Sequence, residues 1–279
     1  MDRLRYFWMA AVAALAAAGA APAASPQRIV TLSPHLAELV CAAGACERLA
    51  GVVAWSDFPE SVKKLPQVGD AFAVNVEQIF ALQPDLVLAW DGGTARETQE
   101  RLRSLNLPVE GLAIRTLPQV GDALETLGQK LGTQKIANAA ASAYRARLEK
   151  MRAAHAHDAR VRVMYQIEAS PAYSINHDSP ISQVIELCGG INVFADLPAL
   201  AGVVSLEAAI ARDPQVILYT RQDNGAAIRA LWARSPEVAA TRAGNLYVID
   251  GNLLDRATPR MLDGAEQVCA ALAEVRKKL

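Results

Sequence analysis

The sequence lacks the motifs that mark common enzyme sites. It has no Gly-x-Ser-x-Gly elbow, no Gly-x-x-x-x-Gly-Lys phosphate loop and no His-Glu-x-x-His pair. Lysine and arginine (28) balance aspartate and glutamate (29), so no basic excess points to nucleic acid. With four histidines in the chain, a dedicated transition-metal receptor is disfavoured. These absences favour a binding protein over an enzyme.

The first 24 residues have the pattern of a secretory signal peptide. Arg3 and Arg5 precede an apolar stretch, residues 6–21, which small residues follow. A membrane anchor is the alternative, but the stretch is short for a span of roughly 20 residues. No cysteine follows the cleavage region, which disfavours a lipid-attached form. We therefore predict an exported protein whose signal peptide is cleaved.

One segment, residues 74–90, is written twice. Glu77 and Glu207, like Pro84 and Pro214, stand 130 residues apart. Each copy predicts a capped helix with an acid in its first turn, a proline that ends the helix, and a short buried strand. For each acid alone, an ordinary first-turn carboxylate is the alternative reading. The duplication predicts two α/β lobes.

The segment between the two copies predicts one long helix. Residues 133–157 contain no proline or glycine and are rich in alanine and charged residues. At 1.5 Å per residue, such a helix would reach roughly 35 Å and could brace both lobes. The alternative is a helix packed on one domain only. The predicted units are an N-terminal lobe (25–132), the inter-lobe helix (133–157) and a C-terminal lobe (158–279).

Aromatic residues make up 5% of the chain, so their positions carry information. Several lie at or just after the predicted ends of strands: Trp55, Phe58, Phe72, Trp90 and Tyr173. That edge is where open α/β sheets bind ligands, and flat side chains suit a large, planar, partly apolar ligand. For Trp90 and Phe58, burial in the core is the alternative.

Polar residues follow the last strands of the second half, among them Asp255, Arg256 and Arg260. The two arginines could bind amide or phosphate groups of a ligand. Alternatively, they cap the final helix and pair with Asp255 or Asp263. His35 and Glu38 lie three apart on one predicted helix, which is a weak metal signal beside ordinary capping.

All four cysteines follow the predicted signal peptide, where oxidation is permitted. A local bridge between Cys41 and Cys46 is plausible across the turn at Gly44. Cys188 and Cys269 could join two helices of the second half. Four free thiols are the alternative, and no Cys-x-x-Cys spacing suggests zinc.

The sequence resembles the periplasmic cobalamin-binding proteins of ABC importers, a branch of the helical-backbone (class III) substrate-binding family. The resemblance covers the mature chain and rests on these segments: RIVTLSPHLAELVCAAG, VVAWSDFPESVKKLPQVGD, NVEQIFALQPDLVLAW, ISQVIELCGGINVFADL and DRATPR. It implies two Rossmann-like lobes with parallel-rich sheets joined by one long helix, and a corrinoid bound in the cleft. Haem and ferric siderophores are alternative ligands of the same family, and a metal-dependent periplasmic enzyme is a further alternative.

The resemblance also implies roles for single residues. The implied ligand contacts are Trp55, Phe72, Trp90, Tyr173, Asp255 and Arg256. Glu77 and Glu207 are implied to dock on a dimeric ABC permease with its ATPase. The family disulfide would fall on Cys188 and Cys269, with Cys41 and Cys46 as extra cysteines. We expect a monomer without a catalytic residue, a resident metal or a cofactor.

The chain departs from the family pattern in the cleft. A family tryptophan before the first repeated unit is replaced by Ala71, with Phe72 beside it, and a second falls near Leu200 and Ala201. Losing two large rings could lower affinity or admit a different corrinoid. His35 stands in place of a small residue and could approach a metal centre, which keeps haem as an alternative.

Overall fold

The computed structural model describes residues 25–70, 73–221 and 223–279. The predicted signal peptide and the predicted ligand contact Phe72 lie outside these residues. Within them, strands and helices alternate along both halves of the chain. The predicted α/β class is confirmed.

The first half forms a four-stranded parallel sheet. Its strands are β1 (Ile29–Thr31), β2 (Leu49–Gly51), β3 (Leu86–Trp90) and β4 (Val109–Leu112), and their order across the sheet is β2-β1-β3-β4. Its helices are α1 (Pro34–Ala42), α2 (Val76–Ala81), α3 (Arg96–Ser104) and α4 (Leu117–Leu131). Because every pairing is parallel, the loops that follow the strands share one edge of the sheet.

A single long helix, α5 (Gln134–His155), follows α4 and spans 22 residues. It starts just after Gly132, whose φ of 68° lies in the left-handed region that glycine adopts without strain. A Cβ added to Gly128 in α4 would lie 2.3 Å from the Cβ of Ala137. Glycine at this position therefore allows α4 and α5 to pack closely.

The second half contains another parallel sheet and a small antiparallel one. Its strands are β5 (Val161–Tyr165), β6 (Tyr173–Ile175), β7 (Gly190–Asn192), β8 (Ala201–Val203), β9 (Val216–Thr220) and β10 (Leu246–Ile249). The parallel sheet has the order β10-β9-β5-β7, and β6 pairs with β8. Its helices are α6 (Pro180–Leu187), α7 (Leu206–Arg212), α8 (Gly225–Trp232), α9 (Ala239–Arg242), α10 (Gly251–Leu254) and α11 (Met261–Arg276).

Helix α5 packs on both lobes. Toward the first, the Tyr144 hydroxyl donates to the Leu117 carbonyl at 2.8 Å. Toward the second, Arg147 pairs with Asp263 at 2.5 Å and with Glu266 at 2.8 Å, both in α11. The largest hydrophobic cluster also continues from the first lobe through α5 into the second. A shared core of this kind limits how far the lobes can separate.

The repeated unit takes the same form in both lobes, as α2 followed by β3 and as α7 followed by β9. The Asn75 side chain accepts a hydrogen bond from the Gln78 amide at 2.9 Å, and Ser205 accepts one from the Ala208 amide at 3.1 Å. These contacts satisfy amide groups that the first turn of a helix leaves free. The capped helix followed by a strand is therefore confirmed in each copy.

Several short elements of the second lobe were missed by sequence analysis, namely β6, β7, β8, α8, α9 and α10. Strands of three residues are too short for a hydrophobic period to be read. A signal for α8 was present, because Asn224 caps the helix and Ile228 and Trp232, four apart, are both buried.

The structure contains two disulfides, and the described residues include no free cysteine. Cys41 and Cys46 bridge the turn after α1, with Cα atoms 4.0 Å apart. Cys188 and Cys269 join the end of α6 to α11, across a sequence separation of 81 residues. The second bridge closes a long loop, so it restricts the unfolded chain more than the first.

Candidate ligand-binding cleft

A cavity of about 670 Å³ lies between the two lobes. From the first lobe it is lined by loops that follow β1, β3 and β4, including residues 32–35, 90–94 and 114–115. From the second it is lined mainly by residues 178–181 and by residues around α10. The volume is typical of a site for a small organic ligand. The loops after parallel strands thus form one wall, as sequence analysis predicted.

Trp90 forms part of the apolar wall. It ends β3, is half-buried and lies against the turn that follows. A Cβ added to Gly93 would lie 1.8 Å from Cε3 of the indole, so a side chain at this position would displace the ring. The glycine pair after β3 therefore does more than form a turn, because it leaves space for the tryptophan.

His35 lies beside Trp90 at the start of α1. The two ring centroids are 5.2 Å apart with an interplanar angle of 88°, an edge-to-face contact. His35 is 7% exposed, and its Nδ1 lies 2.5 Å from the Ser33 hydroxyl. Burial, together with the positive charge of Arg256, lowers the pKa of His35 to about 4. The imidazole is therefore neutral near pH 7.

Asp255 contributes a carboxyl group to the second-lobe wall. The Tyr165 hydroxyl donates to its Oδ1 at 2.6 Å. Asp255 is exposed at its surface, but desolvation by the atoms packed around its carboxyl group raises its pKa to about 6. Asp223 and Asp250 raise the pKa as well, and the Tyr165 hydrogen bond and Arg256 oppose the shift. At neutral pH the group is ionised, so it can accept hydrogen bonds from ligand amides or hydroxyls.

Arg256 links the two lobes at the edge of the cavity. It is 8% exposed and pairs with Glu38 at 2.8 Å and with Asp57 at 2.5 Å, both in the first lobe. The same guanidinium donates to the Trp55 carbonyl at 3.0 Å and to the Asn252 side chain at 3.1 Å. Sequence analysis named Asp255 and Asp263 as its alternative partners. Its ion pairs in the described chain instead join it to the opposite lobe.

Glu38 is the centre of this contact and is 4% exposed. Besides Arg256, it accepts a hydrogen bond from the Thr258 hydroxyl at 3.1 Å and lies 3.4 Å from Arg260. We call Glu38, Asp57, Arg256, Thr258 and Arg260 the cross-lobe cluster. Both oxygens of Glu38 are engaged there, and no group of three or more potential metal ligands occurs among the described residues. Glu38 thus serves in an ion pair and a hydrogen bond of the cross-lobe cluster.

The structure separates the predicted ligand contacts into two sets. Trp90, Asp255 and Arg256 line the cavity. Trp55 and Tyr173 are not among the described residues that line it. Trp55 is 82% exposed and has a φ of 66°, and its carbonyl group joins the cross-lobe cluster. Tyr173 lies in β6, where it is opposite Val203 of β8.

Phe58 and Arg260 occupy the outer side of the cross-lobe cluster. The Arg260 guanidinium lies 3.8 Å from the centroid of the Phe58 ring, a cation–π contact. Phe58 itself is exposed. Its aromatic face is therefore used between the lobes, rather than in the core that sequence analysis gave as the alternative.

Other cavity residues were missed because β6 was missed. Asn176 and Ser179 follow β6 and line the cavity, and both side chains also shape the loop that leads into α6. Arg115, the third residue after β4, lines the cavity and is exposed. A cation just past the end of a parallel strand was the signal that could have identified Arg115.

Glu77 and Glu207 lie on the two repeated helices, and both are exposed. Neither has an ion-pair partner among the described residues. Hydrogen bonds from its own backbone amide and from Ser205 lower the pKa of Glu207. Each carboxylate is therefore free to meet a cation on another molecule.

The chain matches known proteins over most of its length. Residues 29–253 match a family described as periplasmic binding protein. A vitamin B12-binding protein of Vibrio cholerae is 32% identical over 253 residues, which cover 90% of this chain and 91% of that protein. No helix in the described ranges is long and apolar enough to cross a membrane.

Two solved structures show the same fold. The periplasmic vitamin B12 binding protein BtuF of Vibrio cholerae superposes with a TM-score of 0.83 at 32% identity, covering 91% of this chain and 99% of that one. A periplasmic heme binding protein from Pseudomonas aeruginosa has a TM-score of 0.76 at 28% identity, covering 88% of this chain and 92% of that one. Both therefore resemble this chain across both lobes.

Proposed function

The chain belongs to the periplasmic binding protein family, and we propose that it captures cobalamin or a related corrinoid between its lobes and delivers it to an ABC permease. The observation that carries this proposal is the inter-lobe cavity of about 670 Å³, with Trp90 in its wall. The vitamin B12-binding relatives that match both lobes support it. On this proposal the protein binds and releases its ligand without converting it to another compound, so it is not an enzyme.

The cavity has the chemistry that a corrinoid requires. A corrin ring is broad and partly apolar, and it carries amide side chains around its rim. Trp90 and the neighbouring Leu32 and Ile114 supply apolar surface for the ring. The Asp255 carboxylate supplies an acceptor for the amide N–H groups, and Arg115 supplies a donor for their carbonyl groups.

Delivery uses the outer ends of the repeated units. Glu77 and Glu207 occupy equivalent sites on the two lobes, and each is exposed without an ion-pair partner among the described residues. A permease built from two copies of one chain would present two equivalent basic sites to them. The predicted signal peptide would place the protein in the periplasm, where it acts as a monomer before docking.

Haem is the second candidate ligand, and one feature favours it. A neutral histidine lies in the cavity wall, where it could contact the metal of a planar macrocycle. The similarity to the heme binding protein of Pseudomonas aeruginosa agrees with this candidate. Ferric siderophores bind in other members of this type, but no feature of the described cavity favours them.

Calorimetric titration of the purified mature protein tests the proposal. Cyanocobalamin, haem and a ferric siderophore would be titrated separately. We expect saturable binding of cyanocobalamin at one site per chain. An absence of heat, together with no co-elution of any corrinoid on a sizing column, would contradict the proposed ligand. Binding of haem alone would replace it with the second candidate.

A further inference from the structure

His35 has a ring nitrogen that the surrounding protein leaves unused. Its Nδ1 is held by the Ser33 hydroxyl at 2.5 Å. Its Nε2 has no hydrogen-bond partner among the described residues. The histidine is nine-tenths buried, so an unused polar atom here would carry a free-energy cost unless water or a ligand meets it.

The unused nitrogen reaches open space rather than packed protein. Some enclosed side-chain nitrogen and oxygen atoms of the described residues have no hydrogen-bond partner, and they belong to Thr31, Ser56, Thr133, Tyr219 and Arg260. His35 Nε2 is not one of them, and the open space that His35 borders is the cavity. The nitrogen is therefore accessible from the site where we place the ligand.

The ring is held in a fixed orientation. Trp90 contacts it edge-to-face, and Ser33 fixes its Nδ1 side. When Nδ1–H donates to the Ser33 oxygen, Nε2 carries the lone pair. Burial keeps the pKa of the imidazole near 4, so the lone pair is not protonated at neutral pH. A fixed, neutral imidazole with an outer hydrogen bond on Nδ1 is the usual form of a metal-binding histidine.

We propose that Nε2 of His35 coordinates the metal centre of the bound macrocycle, as an axial ligand supplied by this protein. This inference rests on the proposed function, since it requires a planar metallo-macrocycle in the cavity. The shared chemistry is a cobalt or iron centre with one exchangeable axial position. His35 would then select ligands in which that position carries water over ligands in which it is blocked.

The step is a simple ligand substitution. A bond forms between Nε2 and the metal, and the bond between the metal and its axial water breaks. The water leaves through the cavity mouth, and no electron or proton is transferred. The metal keeps its oxidation state, so no further reactant is needed.

Visible absorption spectroscopy of the mature protein tests this inference. Aquacobalamin, cyanocobalamin and ferric haem would each be added, with free ligand and ligand plus imidazole as reference spectra. We expect bound aquacobalamin to show the imidazole-type spectrum and bound cyanocobalamin to keep its own, because cyanide blocks the axial position. If haem is the ligand instead, the imidazole-type change will occur in the haem arm.

Two substitutions locate the effect. His35→Phe keeps a ring against Trp90 but removes both nitrogens, and His35→Ala leaves space that added imidazole can fill. We expect His35→Phe to abolish the spectral change and to weaken aquacobalamin binding by about tenfold, while cyanocobalamin affinity changes little. Added imidazole should restore the spectrum in His35→Ala. His157→Ala, an exposed histidine at the end of α5, is the matched control and should behave as wild type.

The results separate this inference from the proposed function. If calorimetry shows binding while the spectrum stays that of the free ligand, His35 does not coordinate the metal and the proposed function stands. If His35→Phe and His35→Ala, without added imidazole, show the same spectral change as the wild-type protein, another group coordinates the metal and the inference fails. If neither corrinoid nor haem binds the wild-type protein, both proposals fail together.

Discussion

The two copies of the repeated unit are alike at their outer ends, where the helix begins, and differ at their inner ends, where the strand ends. Glu77 and Glu207 are both exposed in the first turn of a capped helix. At the other end, Trp90 lines the cavity, whereas Thr220 is buried and its hydroxyl donates to Asp223 at 2.8 Å. The comparison suggests that a symmetric partner constrains the outer ends, while an asymmetric ligand lets the inner ends diverge.

The largest expected effect comes from changing the two acids at the outer ends of the repeated units. Reversing both acids, in Glu77→Lys with Glu207→Lys, should abolish uptake of the ligand in cells and leave binding by the purified protein intact. The reason is that a lysine would repel the basic site that the carboxylate meets. Uptake of labelled cobalamin and calorimetry would be measured in parallel. Weakened binding with normal uptake would contradict the docking role.

The second prediction concerns the cross-lobe cluster, which joins the two lobes at the edge of the cavity. Arg256→Met should lower the free energy of unfolding by about 3 to 5 kcal/mol, because it leaves Glu38 buried without its main cation. Chemical denaturation followed by circular dichroism would measure the change. Arg147→Met is the matched control, since it removes a more exposed inter-element pair and should cost at most about 1 kcal/mol. Equal losses for both variants would show that burial of the cluster is unimportant.

A third test addresses the difference between the inner ends directly. Trp90→Ala should weaken ligand binding by about 2 kcal/mol, roughly 30-fold, because an aromatic wall is lost from the cavity. Thr220→Ala, at the equivalent position, should leave affinity within about twofold, since Thr220 is not among the described residues that line the cavity. Calorimetry on both variants would measure the difference. A similar loss in both would mean that the ligand is held symmetrically.

The smallest effect concerns the acid of the second-lobe wall. Asp255 has a folded-state pKa of about 6, above the ordinary value of 3.8, so ionisation costs stability as pH rises from about 4 to about 6. Asp255 is exposed, so solvent screens part of this cost. Asp255→Asn should therefore stabilise the protein by at most about 1 kcal/mol at pH 7.5, with little difference at pH 4.

Urea denaturation at the two pH values would measure the change in Asp255→Asn. Asp178→Asn, which alters an exposed acid of the same cavity, is the control. A gain in stability that is equal at both pH values would contradict the assigned titration. Ligand binding should weaken in Asp255→Asn if the carboxylate accepts hydrogen bonds from ligand amides.

The residues that sequence analysis placed well are those governed by near neighbours in the chain. The side chains of Asn75 and Ser205 cap their helices by accepting hydrogen bonds from amides three residues ahead. Helix α5 lies within the predicted range of residues 133–157. Capping and hydrophobic periodicity act over a few residues, so they can be read without the fold.

The residues that sequence analysis could not place are those whose contacts are made with residues far away in the sequence. Arg256 and Glu38 are 218 residues apart in the chain and meet only because the two lobes face each other. Because the two lobes face each other, Arg256 bridges them and the Trp55 carbonyl group accepts a hydrogen bond from Arg256. Folding of the second lobe, in turn, brings Asp255 within hydrogen-bond distance of Tyr165, 90 residues away in sequence.

The sequence by itself determined the repeat, the alternation of strands and helices, the long helix and the pair of acids on equivalent helices. These features depend on local propensity and on residue identity, which the chain carries directly. Only the tertiary structure decided which side chains share the cavity and which ones hold the lobes together. It also decided that Nε2 of His35 has no hydrogen-bond partner in the part of the chain that the structure describes. Those properties depend on burial and on partners brought together by packing, so they exist only once both lobes have closed around α5.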